Sequence, residues 1–425
     1  MPVAFRSAIA VHRDHGRGVD CPRVMLPAST GEILFESRNL RIWRVGAHRD
    51  DGLVVTFDSY TDNRSLDRAG FGEAFLQSRG IPAIHVVSRD NDWYQYAETS
   101  EALLKVSHAA KDAKRVVTYG TSMGGYAAIR FADLVGAQAA LSISPQYSID
   151  PAKVPFEHRW LADARRIIFR PELDGPITAS ADIFLAYDPT GPDRLHYELI
   201  SAETSVRPLR VWHAGHSVPS FLSEAGLLEP LVLGVVSDDL DLQAFELLLR
   251  QRKKGLSVYF SELARRQTAR RSRMAVPLAR RALAIDARSD IARRALAEAL
   301  LSEGHVEEAV QEFETLLSGG RHLQHLMAYS KLLDSAGHSD RAILIAEEAA
   351  ASAPEVGSTH YWLANLLAKS PEHLEKALAH ARLAQEREPQ NQTYAKTTRL
   401  IAGKLKNQKP RTSVTSRLKG WLSGS

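Results

Sequence analysis

The sequence predicts two folds in succession: a mostly parallel α/β sheet, and then an all-α helical repeat solenoid. In the first half, up to about Val236, short apolar runs rich in β-branched residues alternate with helical segments. Such alternation is typical of parallel strands that are covered by helices on both faces. From Asp238 onward the strand-like runs stop, and Ala, Leu, Arg and Glu recur with helical spacing. The change of pattern places a domain boundary near residue 236.

The first half is expected to open with a hairpin and to continue with buried parallel strands. The hairpin joins strands at 32–37 and 40–45 through Arg38-Asn39. Right-handed crossovers between the later strands place the functional loops at their carboxyl ends. The predicted strands are 53–57, 81–87, 116–119, 139–143, 183–187 and 209–213, and the predicted helices are 71–79, 98–112, 126–134, 194–202 and 218–228.

A tight turn with a central serine follows the strand at 116–119, in the stretch RVVTYGTSMGGY. Ser122 stands between Gly120 and Gly124, which remove Cβ atoms where the strand and the next helix approach each other. The pattern is G-x-S-x-G on a strand–turn–helix, which exposes a serine hydroxyl at the end of a sheet. We therefore expect Ser122 to be a nucleophile.

An acid and a histidine follow Ser122 along the chain, each after a predicted strand. Asp188 ends the strand in AYDPTGPD, Asp193 lies five residues later in the same loop, and His216 lies in WHAGHS after the last strand. With these motifs, GTSMGG, AYD and AGH, the first 236 residues resemble the α/β-hydrolase superfamily, in which the order is serine, acid, histidine.

The resemblance implies a role for each of these residues. Ser122 would be the nucleophile and His216 the general base, and either Asp188 or Asp193 would orient His216 and stabilise its charged form. Asp188 is slightly favoured because it lies at the strand end, whereas Asp193 could instead cap the next helix. His213, within a predicted strand, and His196, on a predicted helix, are the alternatives for the base.

The oxyanion hole is implied to combine two backbone amides. One is the amide of Met123 at the start of the helix. The other comes from the loop after the strand at 53–57, at Asp58, Ser59 or Tyr60. This loop lacks the HGGG or HG sequence common at that place in the family, so the second donor is not assigned.

An insertion at 144–181, here called the lid segment, separates two predicted strands where hydrolases carry a cap over the site. Its Trp160, together with Tyr60 and the Trp93-Tyr94 pair that follows the strand at 81–87, is a candidate for substrate binding. Aromatic side chains beside a serine nucleophile would suit a polar, ring-shaped substrate such as a sugar, although they would also suit a structural role.

A repeat of 33 to 35 residues marks the second half. Small or apolar residues recur four and seven positions after the first alanine of each unit, and Gly304 and Gly337 precede two units by five positions. The pattern resembles a tetratricopeptide-repeat array, whose concave face would bind a protein or peptide partner. The predicted segments are a helical connector at 237–259, repeats at 260–403 and a basic flexible tail at 404–425. The repeating positions are Ala275, Ala309, Ala342 and Ala377, then Ala279, Phe313, Ala346 and Ala381, then Ala282, Leu316, Ala349 and Ala384.

Amino-acid composition and charge limit the classes of protein to which the chain can belong. The apolar fraction of 44% and charged fraction of 24% are those of a soluble globular protein, and no segment has the length of a membrane span. A single cysteine, Cys21, excludes an internal disulfide and favours a cytoplasmic protein. The net charge of +4 is too small to indicate a nucleic-acid partner. No dinucleotide, Walker A or zinc motif occurs, so no cofactor and no metal are expected.

These observations predict a serine hydrolase that cleaves a carboxylic ester or thioester of a small molecule or glycan. An acyltransferase with the same nucleophile is the first alternative, because both reactions use one acyl-enzyme. An inactive hydrolase-fold binding scaffold is the second, because the second oxyanion donor is not assigned.

Overall fold

The structure, a computed structural model, describes residues 31–46, 52–61, 63–270, 272–389 and 391–408. Cys21 and most of the predicted basic tail lie outside these ranges. An eight-stranded mixed sheet comes first and eighteen α-helices are described along the chain. The strands are β1 (Glu32–Glu36), β2 (Leu40–Val45), β3 (Leu53–Phe57), β4 (Ala83–Ser88), β5 (Val116–Thr121), β6 (Ala139–Ile143), β7 (Asp182–Tyr187) and β8 (Val206–Arg210).

The helices fall into those that flank the sheet and those that follow it. The first group is α1 (Glu73–Ser78), α2 (Thr99–Ala110), α3 (Met123–Arg130), α4 (Leu161–Ala164), α5 (Pro171–Asp174), α6 (Asp193–Glu203), α7 (Val218–Glu224) and α8 (Leu228–Val236). The second group is α9 (Leu242–Arg252), α10 (Ser257–Ala269), α11 (Ala275–Ile285), α12 (Asp290–Ser302), α13 (Val306–Ser318), α14 (Leu323–Ser335), α15 (Ser339–Ser352), α16 (Gly357–Leu367), α17 (Leu374–Arg387) and α18 (Gln392–Gln408).

The sheet is mostly parallel, in the order β1-β2-β4-β3-β5-β6-β7-β8. The β1/β2 and β2/β4 pairs are antiparallel, and the other five pairs are parallel. Alternate side chains of β3 enter separate cores, because Val55 and Phe57 pack on one side of the sheet and Val54 on the other. Burial on both faces explains why these strands are continuous apolar runs rather than alternating ones.

Several predicted boundaries were wrong, among them the following three. The last strand ends at Arg210 rather than at His213, so His213 lies in the following loop with φ 63°. Helix α3 begins at Met123, three residues before the predicted start, because the turn at Ser122 leads directly into helix. Helix α18 continues to Gln408, past the predicted start of the tail at 404.

The second half is a solenoid-like stack of helix pairs. Successive helices pack against each other in pairs, and α18 packs on α17. The pairs are α10 with α11, α12 with α13, α14 with α15, and α16 with α17. The twelve repeating residues of the sequence pattern all lie on the second helix of a pair, and all are buried. Small side chains there let paired helices approach closely, so the repeat is a tetratricopeptide-like array, as predicted.

Contacts between the array and the sheet domain include one near each end of the array. Near its beginning, the Arg266 guanidinium of α10 lies 2.8 Å from the Asp188 carboxylate, just after β7. Near its end, Arg165 of the lid segment donates a hydrogen bond of 2.9 Å to the Thr393 hydroxyl. Between these contacts a cleft of about 630 Å³ separates the lid segment from α14 and α16, with Tyr60 and Trp362 in its walls.

No single helix in the described ranges has both the length and the apolar character needed to cross a membrane. The pair α7 and α8 passes that test jointly, by length and composition, but with a bend of 103° between the two helices. Phe221 of α7 and Leu231 of α8 are buried in the core of the sheet domain.

Candidate active site

Ser122 occupies a strained turn between β5 and α3. Its backbone angles are φ 53° and ψ −117°, in a region that residues with a side chain rarely adopt and that is concentrated at functional sites. A Cβ on Gly120 would lie 2.2 Å from the Gly124 carbonyl oxygen, and one on Gly124 would lie 2.2 Å from the Phe57 carbonyl oxygen. A side chain at either position would therefore force the backbone of the turn to shift.

A continuous chain of hydrogen bonds joins a serine, a histidine and a carboxylate. The Ser122 Oγ lies 3.0 Å from His216 Nε2, and His216 Nδ1 lies 2.9 Å from Asp193 Oδ2. The carboxylate can only accept, so Nδ1 carries the proton and Nε2 is left to accept from the serine hydroxyl. This is the arrangement in which an imidazole can take a proton from an attacking hydroxyl.

Of the two candidate acids, Asp193 is the one placed against His216, whereas Asp188 was the favoured prediction. Asp188 is fully buried and accepts the backbone N–H groups of Thr190, His213 and Gly215 at 2.8, 3.2 and 2.8 Å. It also pairs with Arg266. Asp188 therefore holds the loop that carries His216 in place instead of touching the imidazole.

Opposing effects act on the Asp193 carboxylate. Burial disfavours its charged form, but the charges and hydrogen bonds of His216 and Arg159 outweigh burial and hold the pKa of Asp193 below its usual value. Arg159 comes from the lid segment, and its Nη1 lies 2.8 Å from Asp193 Oδ1. Asp193 therefore stays ionised beside His216.

Neither alternative base contacts Ser122. His196 is buried on α6, where its Nε2 lies 2.9 Å from Glu157 and its Nδ1 accepts the Tyr147 amide. His213 packs edge-on against Tyr259 of α10, with 5.8 Å between the ring centres. Both histidines serve the packing around the site.

Gln146, which sequence reasoning missed, is a neighbour of the serine. Its Nε2 donates to Ser122 Oγ at 3.2 Å, and its Oε1 accepts from the Trp93 indole at 3.1 Å. The side chain is buried. Its position three residues after the end of β6 was the one available signal, since that strand ends beside β5.

The candidate donors for the oxyanion hole differ in whether their backbone amides already have an acceptor. Met123 is the first residue of α3, where a helix amide has no intrahelical acceptor. Asp58 was a candidate, but its amide donates to the Val86 carbonyl at 3.3 Å and is therefore already used. Ser59 and Tyr60 remain candidates for the second amide, and the Gln146 amide group adds a side-chain donor beside the serine.

Three of the four predicted substrate-binding aromatics form one cluster at the site. The rings of Tyr60 and Trp160 are 5.0 Å apart, those of Trp93 and Trp160 are 5.6 Å apart, and Trp160 lies 6.1 Å from the His216 ring. Tyr94 was wrongly grouped with them. It is fully buried against Phe57, and its hydroxyl donates to the Asp58 carbonyl, so it belongs to the core.

No group of three or more His, Cys, Asp or Glu residues in the described ranges is arranged to hold a metal ion. The site itself offers a serine with a base, an oriented carboxylate and several N–H donors.

Comparison with known proteins found no matching family model and no matching curated protein. Solved structures match the helical part of the chain. YrrB, described as a TPR protein with an unusual peptide-binding site, is 15% identical over 37% of this chain and 81% of its own, with a TM-score of 0.29. MamA from Desulfovibrio magneticus RS-1 is 17% identical over 40% of this chain and 97% of its own, with a TM-score of 0.28. MamA AMB-1 is 16% identical over 38% of this chain and 96% of its own, with a TM-score of 0.28.

Proposed function

We propose that the sheet domain is a serine hydrolase of the α/β-hydrolase type, which cleaves a carboxylic ester or thioester through an acyl-enzyme on Ser122. The observation that carries the proposal is the chain of hydrogen bonds from Ser122 through His216 to Asp193, set on a strained strand–helix turn. The parallel strands that bring these three loops to one edge of the sheet support it.

In the acylation step, the Ser122 oxygen attacks the substrate carbonyl while His216 Nε2 takes the hydroxyl proton. Asp193 stabilises the imidazolium, and the Met123 amide donates to the oxyanion. The imidazolium then gives its proton to the leaving alcohol or thiol as the bond to the carbonyl carbon breaks. Water, activated by the same imidazole, releases the acid and restores Ser122. General-base assistance of this kind contributes about 10²–10⁴-fold.

An acyltransferase is the second candidate, and the cover over the site favours it. Ser122 is only 8% exposed and the Trp160 ring lies beside His216. A covered acyl-enzyme reacts with water less readily, which favours transfer to a bound alcohol or amine, including a glycan.

Labelling with a fluorophosphonate probe tests both candidates, because the probe phosphonylates only an activated serine. We expect the wild type to be labelled and Ser122→Ala, shown to be folded by circular dichroism, to remain unlabelled. Absence of labelling in the folded wild type would leave an inactive binding scaffold. A short-chain nitrophenyl ester assay with added sugar or amine acceptors then separates hydrolysis from transfer.

We further propose that the array binds a protein or peptide segment in the cleft between α14, α16 and the lid segment, and that the protein acts in the cytoplasm. The half-buried Trp362 ring and the exposed Lys331 ammonium are among the groups that line that cleft. A photoreactive residue at Met327 should cross-link a partner polypeptide, and the cross-link should weaken in Trp362→Ala. An equal yield in both proteins would refute this role for the cleft.

A further inference from the structure

The lid segment contains a buried carboxylate that holds a guanidinium in a fixed orientation. The Glu157 side chain is 1% exposed and accepts from Arg159 through Nε at 3.0 Å, Nη2 at 2.6 Å and the backbone N–H at 2.8 Å. It also accepts from His196 Nε2 at 2.9 Å, and the opposite nitrogen of that ring is occupied by the Tyr147 amide. Burial opposes ionisation, but these donors hold the pKa of Glu157 at about 2.

Held in this way, Arg159 turns its remaining nitrogen toward the acid of the candidate triad. Nη1 lies 2.8 Å from Asp193 Oδ1, while Oδ2 of the same carboxylate faces His216. Asp193 and His196 stand one turn apart on α6, so Glu157 and Arg159 together clamp the lid segment onto that turn.

We propose that Arg159 is a positioning residue for the reaction at Ser122, which fixes the Asp193 carboxylate and moderates its effect on His216. The inference rests on the proposed function. The guanidinium occupies Oδ1 and so prevents the carboxylate from rotating away from the imidazole. Its positive charge also offsets part of the stabilisation that a lone buried carboxylate would give to the imidazolium. The proton that His216 takes from Ser122 is therefore returned more readily to the leaving group.

Other charged groups lie against the backbone of the loop that carries His216. Asp188 accepts the Gly215 amide, Glu262 of α10 lies against Gly215, and Arg266 pairs with both carboxylates. Their contacts are with one another, with the Thr190 carbonyl and with Gly215 rather than with Arg159, so a change at Arg159 is expected to leave them in place. A change in the pH profile of an Arg159 variant can therefore be assigned to the contacts that Arg159 itself makes.

The test is the pH dependence of fluorophosphonate labelling in the full-length protein, for the wild type, Arg159→Gln, Arg159→Lys and the matched control Arg165→Gln. The control removes a guanidinium from the same lid segment, but one that bonds Thr393 instead of the triad. For Arg159→Gln we expect the acid limb of the rate profile to move upward by about one pH unit and the plateau to fall about 10-fold. Arg159→Lys should give a smaller displacement, because the ammonium keeps the positive charge, but a displacement should remain, because an ammonium cannot bridge Glu157 and Asp193 as a guanidinium does.

A profile of Arg159→Gln that superimposes on the wild type overturns the inference, and so does an equal displacement in Arg165→Gln. Thermal unfolding establishes which variants are folded. If Arg159→Gln is not folded, Arg159→Lys decides, and an unmoved profile in that variant overturns the inference. If the wild type is labelled but the profiles of the Arg159 variants do not move, only the role of Arg159 is rejected. If the wild type is unlabelled at every pH, the proposed function is rejected as well.

Discussion

Replacement of each of the two loop carboxylates by asparagine should affect different properties of the protein. Asp193 faces His216, whereas Asp188 faces backbone amides and Arg266. Asn keeps the shape of Asp but replaces one oxygen by a donor. In Asp193→Asn that donor faces His216 Nδ1 and favours the wrong tautomer. In Asp188→Asn the side-chain oxygen can stay at the Oδ1 position. The new NH₂ group then faces two other donors, the Gly215 amide and the Arg266 guanidinium.

The expected magnitudes follow from these contacts. Loss of the orienting carboxylate in a Ser–His–Asp arrangement reduces the rate about 10⁴-fold, or about 5.4 kcal/mol. Removal of one partner from a buried ion pair costs about 3–5 kcal/mol of the free energy of unfolding. Asp188→Asn should therefore be destabilised by about that amount, while its folded fraction loses about 10–100-fold in rate through a displaced His216 loop.

Two measurements separate these outcomes: the fluorophosphonate labelling rate per folded molecule, and urea unfolding followed by tryptophan fluorescence. Asp193→Asn also takes one partner from Arg159, but that guanidinium keeps two bonds to Glu157, so labelling should be lost with a smaller fall in the unfolding midpoint than in Asp188→Asn. Asp188→Asn should show the larger fall in the midpoint and the smaller loss of labelling. If folded Asp188→Asn loses labelling as completely as Asp193→Asn, or if Asp193→Asn is labelled at the normal rate, the assignment of the triad acid is refuted.

Three further outcomes are expected. Gln146→Leu should slow labelling about 10²-fold by removing a donor beside Ser122, and an unchanged rate would exclude Gln146 from the site. Gly124→Ala should lower the melting temperature by several degrees because its Cβ would meet backbone atoms of Phe57, while the control Gly403→Ala, with nothing within 4 Å of the new Cβ, should not. Burial raises the pKa of Asp58 from 3.8 to about 6 despite the nearby Arg68 guanidinium. Between about pH 4 and about pH 6 the folded protein therefore keeps a proton on Asp58 that the unfolded chain has released. The free energy of unfolding should therefore fall as the pH rises from about 4 to about 6, and Asp58→Asn should flatten that slope in urea titrations; an unaltered slope would contradict the assignment.

The proximity of Ser122 and His216 could be predicted from the sequence because each stands in a short motif after a strand. Parallel strands bring such ends to one edge, so the order along the chain is enough to predict proximity. The acid could not be chosen in this way. Asp188 and Asp193 share one loop, and the choice depends on where α6 begins and on the amides of the next loop, which turn the Asp188 carboxylate away from His216.

Gln146 and Arg159 lie in no motif, and each contacts a residue of the candidate site that is far from it in sequence. Gln146 reaches Ser122 only because β5 and β6 are neighbours, and Arg159 reaches Asp193 only through the fold of the lid segment. The repeat was predictable because close helix packing demands small residues at fixed spacing. Its position against the sheet domain was not, since the contact between Arg165 and Thr393 joins residues 228 positions apart.

The ion pair between Arg266 and Asp188 bears on how the two domains could have been combined. Asp188 holds the amides of the loop that carries His216, and its charge is balanced by a residue of the first repeat helix. A sheet domain separated near residue 236 would keep every candidate catalytic side chain and still lose this counter-charge beside the loop that carries His216. The array therefore cannot be exchanged freely for another repeat module: a replacement would have to provide a cation at the same place, so the two halves are expected to be inherited together.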